Sequence, residues 1–138
     1  MKEALAWDDV RPGASNTPLL CRTLPGVGGE LWGLPEDFQV EEILPYAPTG
    51  SGDHHFVQVR KVGMSTVEVA TLLAQTANIP SREVGFAGRK DVQAIATQWF
   101  SLPTAPVAPK TDRLELLHVC RHPKKLKNGH VRANRFTI

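Results

Sequence analysis

The sequence is poor in cysteine and in aromatics and has no long apolar run. Its two cysteines, Cys21 and Cys120, stand far apart and outside any Cys-x-x-Cys spacing, so neither a zinc or redox motif nor a disulfide framework can be read. A reducing compartment fits that usage. Apolar runs extend only a few residues, and Lys2 and Glu3 interrupt the opening segment from Met1 to Trp7. Neither a membrane span nor a secretory signal is expected. The expectation is a soluble, cytoplasmic protein with no membrane partner. The glycines at 26, 28 and 29 are not followed by Gly-Lys-Ser/Thr, so this stretch reads as a turn before a strand and not as a phosphate loop. Gly-x-Ser-x-Gly is also absent, and with it the usual signal for a Ser-His-Asp site.

What is present is ordinary globular composition, 41% hydrophobic and 22% charged over 138 residues. A chain of this length buries roughly two-thirds of its unfolded surface and needs no covalent staple. One domain is the expectation. The formal net charge of +2 hides an asymmetry. Residues 110 to 138 hold 8 Lys or Arg against 2 acids, whereas residues 1 to 109 hold 8 against 12. Arg121, Lys124, Lys125, Lys127, Arg132 and Arg135 follow one another with no acid between them, and His122 and His130 interleave. Such a run is either a solvated loop tip or an electrostatic footprint for a polyanion.

Along the chain, residues 1 to 24 carry Pro12, Gly13 and Pro18 without apolar periodicity and read as an irregular arm. Phe38 to Tyr46 alternates and then breaks at Glu41 and Glu42, which suggests a strand with an irregularity. His54 to Lys61 alternates more cleanly and is expected beside it. Ser65-x-x-Glu68 is a capping box, and Val69, Leu72, Leu73, Thr76 and Ala77 recur at helical spacing until Asn78 and Pro80. Gly85 and Gly88 punctuate a short apolar piece, Arg89-Lys90-Asp91 forms a charged turn, and Ala94 to Ser101 returns as a strand. Pro103, Pro106 and Pro109 stiffen the next link. Leu114 to Arg121 and Val131 to Ile138 read as two strands of a basic hairpin whose loop ends in Asn128-Gly129. Strands mixed with one helix argue an α+β fold with a mixed, largely antiparallel sheet.

Asp91 is the first candidate for chemistry. It sits in a turn directly after two cations, which keep a carboxylate ionised. An ionised carboxylate on a loop can serve as nucleophile or base, though Asp is also a common turn former. A glycosidase would need a second carboxylate, for which Glu36, Asp37, Glu41 and Glu42 are available in composition. His118-x-Cys120-x-His122 places three possible ligands on one strand face. Alternate residues lie about 6.5 Å apart, too far to converge easily on one metal. Phe136, between Arg135 and the chain end and close to Asn134, is a base-stacking candidate or a core residue.

The string Gly85-Phe86-Ala87-Gly88-Arg89-Lys90-Asp91, with Ala94, Gln98, Trp99 and Ser101 after it, resembles the Ala-Gly-x-Lys-Asp…Gln-Trp signature of the tRNA pseudouridine synthase D family. Other pieces fall in the family's order. Pro35-Glu36-Asp37-Phe38-x-Val40-x-Glu42 is similar to its opening strand motif, Gly52-Asp53-His54 to its Gly-Glu-His, and Thr66 to the start of its helix. Lys125-Leu126-x-x-Gly129 and Asn134-x-Phe136 close the match.

The resemblance implies a pseudouridine synthase-like half domain over residues 25–138. It implies Asp91 as the catalytic aspartate, Lys90 and Gln98 as support, and Asn134 and Phe136 as the pocket border, with the ring stacking on uracil. It implies tRNA as the partner, held in part by Lys124, Lys125 and Lys127, with a uridine in the D-arm region, position thirteen, as target. It implies no cofactor and no metal. Family members carry a Lys where this chain has Trp32, and continue past the Asn-x-Phe strand. The chain therefore reads as an N-terminal piece of the catalytic domain. Alone it is expected to bind RNA weakly without turnover and to self-associate through its terminal strand. The alternative reading is a non-catalytic RNA-binding module on the same scaffold.

Overall fold

The computed structural model describes residues 33–138. The arm at residues 1–24, the glycine turn at 26–29 and Trp32 lie outside the described residues.

Six strands and one helix follow in the order β1 (Gln39–Ile43), β2 (His54–Val62), α1 (Thr66–Thr76), β3 (Gly85–Phe86), β4 (Ile95–Leu102), β5 (Leu114–His122) and β6 (Ala133–Thr137). They form one sheet in the order β5-β2-β4-β1-β6, with the short β3 also on β4. The pairing of β1 with β4 is parallel, and the other pairings are antiparallel. The sheet is thus mixed and largely antiparallel, as the pattern of elements predicts.

The helix begins where the capping box places it. The Ser65 hydroxyl accepts from the Glu68 amide at 3.1 Å, and the Glu68 carboxylate accepts from the Ser65 amide at 2.6 Å. A cap of this kind stabilises a helix by about 1 kcal/mol. Val69, Ala70, Leu73 and Ala74 form its buried stripe and meet Val57, Val59, Phe100 and Leu102 of the sheet. Past the end, Asn78 takes a left-handed φ of 54°, a conformation Asn tolerates better than most residues.

Three sequence expectations are corrected. First, β2 is not beside β1: β4 lies between them. Six of the eight β4 residues are buried, and a strand covered on both faces belongs at the centre of a sheet. Second, β1 has no irregularity, because its register with β6 is unbroken from Gln39 to Ile43. Glu42 points inward with the alternation and is neutralised by a lysine described below. The register shift falls instead between Gln58 and Val59, on the β2–β5 side.

Third, β5 and β6 do not form a hairpin, since they occupy opposite edges of the sheet. The basic segment between them is a crossover. Leu126 is buried against Phe56 and Ala87, with Val131 packed on the same cluster, and the Leu126 amide donates to the Ser101 hydroxyl at 2.9 Å. The Gly129 amide donates to the Ala87 carbonyl, and the Arg132 amide to the Ile43 carbonyl, both at 2.8 Å. A side chain at Gly85 would collide with the Leu126 carbonyl and the Ser101 hydroxyl, so glycine is what lets the crossover lie this close to β3.

Candidate active site

Along the edge of β4 opposite β2, β1 pairs only as far as Thr97 and β3 begins at Phe100. Gln98 and Trp99 fall in the gap between the two partners. The Glu42 carboxylate fills part of it by accepting from the Trp99 amide at 3.1 Å. Its other oxygen takes the Lys90 ammonium at 2.8 Å, with both side chains almost wholly out of solvent. Gln98 donates its amide to the Gly88 carbonyl at 2.6 Å. The Thr66 hydroxyl donates to the Gln98 carbonyl oxygen at 3.0 Å and accepts from the Lys90 amide at 2.9 Å. From β2, the Lys61 ammonium donates to the Asp91 main-chain carbonyl at 2.8 Å and to the Met64 carbonyl at 2.6 Å.

The segment 88–91 is therefore tied to β1, β2, α1 and β4 at successive points. Glu42, Lys61, Thr66 and Gln98 are all buried, and burying polar groups costs free energy unless each finds a partner. Here every one does. The Asp91 side chain, by contrast, is exposed. Its backbone is fixed while its side chain is exposed, so the carboxylate is presented from a rigid support.

The β6 strand lies on the side of β1 away from β4. Asn134 lies opposite Glu42 and Phe136 opposite Val40, so both share the face of Glu42 by strand alternation. Phe136 is 54% exposed and its ring lies 5.7 Å from that of Phe38. It is thus a surface aromatic and not a core one. Of the residues singled out in the sequence, Lys90 reaches β1 through Glu42, Gln98 lies on the central strand β4, Asn134 and Phe136 face β1 from β6, and Asp91 is reached through its carbonyl by Lys61 of β2. Lys124, Lys125 and Lys127 lie on the crossover, where Lys124 and Lys127 are exposed and Lys125 donates to the Arg82 carbonyl at 2.6 Å.

Of the carboxylates a glycosidase could pair with Asp91, three have partners: Glu42 holds Lys90 and the Trp99 amide, Glu41 holds Arg135 at 2.9 Å, and Asp37 accepts from the Leu34 amide at 2.7 Å; the fourth, Glu36, is exposed on the turn before β1. His118, Cys120 and His122 have separate neighbours: His118 meets the Trp99 ring edge-on, the Cys120 thiol approaches the Phe56 carbonyl, and His122 stacks on Tyr46. Burial first, then the neighbouring His54 and Lys124, pushes the His122 pKa down and favours the neutral ring. A groove of about 300 Å³ lined by Gln39, Glu41, Gln58, Arg60, Thr97 and Arg135 opens on the other face of the sheet. It holds none of the predicted site residues.

Sequence reading did not single out Lys61, and gave Glu42 and Thr66 places in a strand and a helix but no part in holding the loop at 88–91. The signal was available for two of them. Val57, Val59 and Lys61 alternate inward on β2, as Val40 and Glu42 do on β1. A charge on the inward side of an alternating strand demands a buried partner.

A mixed six-stranded sheet backed by one helix is a pseudouridine synthase-like scaffold. The sequence profile of tRNA pseudouridine synthase D (TruD) matches residues 14–138, and the chain belongs to that family. It is 44% identical over 128 residues to a tRNA pseudouridine synthase D from an Anaeromyxobacter species, covering 90% of this chain and 37% of that protein. To the Thermus thermophilus protein of the same name it is 41% identical, with 88% and 35% covered. A crystal structure from Methanosarcina mazei described as a tRNA pseudouridine synthase D superposes with a TM-score of 0.71 at 27% identity, over 81% of this chain and 26% of that one. The chain thus spans a little over a third of the relatives' length.

Proposed function

We propose that this chain carries the catalytic aspartate of a tRNA pseudouridine synthase. The observation that carries the reading is the loop at 88–91, whose backbone is tied at successive points while the Asp91 carboxylate stays exposed. Asp91 acts on the ribose of a target uridine. The bond from C1′ to uracil N1 breaks, the ring turns, and a bond from C1′ to C5 forms. The hydrogen on C5 is lost and N1 gains a proton, so the reaction is an isomerisation that needs no redox partner. Lys90 and Gln98 set the loop, Asn134 borders the pocket, and Phe136 offers its exposed face to the base. A nucleotide must leave its stack to reach such a pocket. The family's target, the uridine at position thirteen of tRNA, is the substrate we assign. Release of tritium from tRNA labelled at uridine C5 by the longer enzyme that carries these residues is the test, and label released equally by its Asp91→Asn variant overturns the reading.

The basic crossover supports a second RNA contact. Lys124 and Lys127 are exposed and flanked by Arg121 and Arg132. Replacing Lys124, Lys125 and Lys127 together with Ala is expected to weaken tRNA binding and to flatten its salt dependence. Every phosphate left without its cation lowers the slope of log affinity against log salt by about 0.7 to 0.9. Because the Lys125 ammonium already holds the Arg82 carbonyl, the expected change corresponds to two phosphates and not three. An unchanged slope would make the crossover a solvated strap.

Among the described strands β6 pairs only with β1, and all five of its residues are exposed. An open edge of this kind invites another strand. We read self-association through β6 as its consequence, to be seen as concentration-dependent mass in light scattering. A monomer at every concentration overturns it. No helix among the described residues is long and apolar enough to cross a membrane, and a tRNA substrate fits a cytoplasmic location, which cell fractionation checks.

A further inference from the structure

Lys61 is a buried cation with no carboxylate in hydrogen-bond contact. Its side chain is inaccessible to solvent, and its ammonium donates to two main-chain carbonyls, those of Met64 and Asp91. A buried charge is costly unless something requires it. Most apolar residues could fill this end of β2, where Val57 and Val59 occupy the preceding inward positions. What an apolar residue cannot do is join β2, the turn before α1 and the backbone of Asp91 through one atom.

We propose that Lys61 is a positioning residue for Asp91, its ammonium clamping the Asp91 carbonyl and so fixing where the neighbouring carboxylate stands. The clamp rests on the reading of Asp91 as the catalytic group for its relevance to the reaction, but not for its existence. Charge-assisted hydrogen bonds are roughly twice as strong as neutral ones, so the clamp depends on the protonation of Lys61.

The groups around it act in both directions. Burial lowers the Lys61 pKa to about 8, opposed by Asp91 on the loop and Glu68 on α1 and assisted by Lys90. Lys90 is itself paired with Glu42 from β1, and Arg113, before β5, donates to the Gly63 carbonyl and adds a positive charge beside Glu68.

The sign of the pH effect separates the clamp from general stability. The folded pKa lies near 8 and the ordinary value is 10.5. Between them the unfolded chain binds more protons, so global stability rises with pH across this window. The clamp weakens across the same window. A role confined to packing would move both in the same direction.

The experiment is residue-resolved amide hydrogen exchange on the full chain, corrected for intrinsic base catalysis, from pH 6 to 10. In the native sequence the amides of residues 89–93 are expected to open progressively above about pH 8. Those of α1 and β4 should hold or gain protection. Lys61→Arg keeps its charge throughout this range and should abolish the alkaline opening. Lys61→Met should raise loop exchange tenfold or more below about pH 8 and converge with the native rates above it, with α1 and β4 within about twofold of the native rates. In the turnover assay, run on the longer enzyme that carries these residues, Lys61→Met should lower kcat tenfold or more and leave KM for tRNA within twofold, since a buried amine does not touch RNA. Loop protection unchanged in the Met variant overturns the proposal. So does a uniform loss over β2, α1 and β4. If the Met variant does not fold, identical alkaline opening in the native and Arg proteins overturns it. Failure of the clamp appears in exchange, and failure of the Asp91 reading appears in turnover of the Asp91 variant.

Discussion

Asp91→Asn is expected to abolish pseudouridine formation, by roughly a thousandfold or more, in the protein that carries these residues, while leaving its melting midpoint nearly unchanged. The asymmetry follows from how the residue is held. Its carbonyl receives Lys61, and the preceding Lys90 amide reaches the Thr66 hydroxyl. Both are backbone interactions that survive in Asn. The side chain is exposed and accepts no hydrogen bond among the described residues. A substitution at such a position usually moves stability by no more than about 0.5 kcal/mol. Chemically the change is drastic. An amide of nearly the same shape carries no negative charge, and serves neither as a base nor as a nucleophile near neutral pH. Single-turnover assays on labelled tRNA, with a thermal melt of the same sample, give both halves of the prediction. Activity within tenfold of the native protein would remove Asp91 from the mechanism. A large fall in melting temperature would show that its carboxylate holds the fold.

What was legible in the sequence was local. The helix could be read because Ser65 and Glu68 sit three apart and its apolar stripe has one period. The Asp91 loop could be read because glycines and charges interrupt two apolar pieces, and because its motif resembles a known family. Strand order could not be read. Alternation tells which side chains share a face, but not which strand lies alongside, and β4 separates two strands that are consecutive in sequence. The basic segment looked like a hairpin because Asn128-Gly129 is a turn signal, and Gly129 does adopt a positive φ of 88°. The turn is real, but Leu126 decides where the segment goes, by burying one side chain against Phe56 on the way to the far edge. The support of the site was hidden for the same reason. Glu42 and Lys90 are 48 residues apart and Lys61 and Asp91 30 apart, and no periodicity links them.

The Glu42–Lys90 pair is where the second large effect is expected, this time on stability. Glu42→Ala removes three things: the counter-charge to a lysine only 7% exposed, the acceptor for the Trp99 amide, and the volume that fills the gap between β1 and β3. Removing one member of a buried ion pair commonly costs about 3 to 5 kcal/mol, mostly because the remaining charge is stranded. For a domain of this size that corresponds to a fall of about 10 to 20 °C in the melting midpoint. Glu42→Gln should cost less, since its carbonyl oxygen can still receive the Trp99 amide. Lys90→Met should also destabilise, because it strands the carboxylate. The decisive variant is the double one, Glu42→Leu with Lys90→Met. Apolar replacement of a whole buried pair is often neutral or better, so the double variant should be more stable than Glu42→Ala even though it carries more changes. Urea denaturation of the native protein, Glu42→Leu, Lys90→Met and the double variant closes the cycle, with an expected coupling of about 2 kcal/mol or more. Additivity within about 0.5 kcal/mol would mean that the lysine escapes to solvent when its partner is removed. The loop would then owe its position to Gln98, Thr66 and Lys61 alone. If coupling is found, the double variant also separates stability from placement. It should fold well and still turn over poorly, because no ion pair then anchors the residue before Asp91.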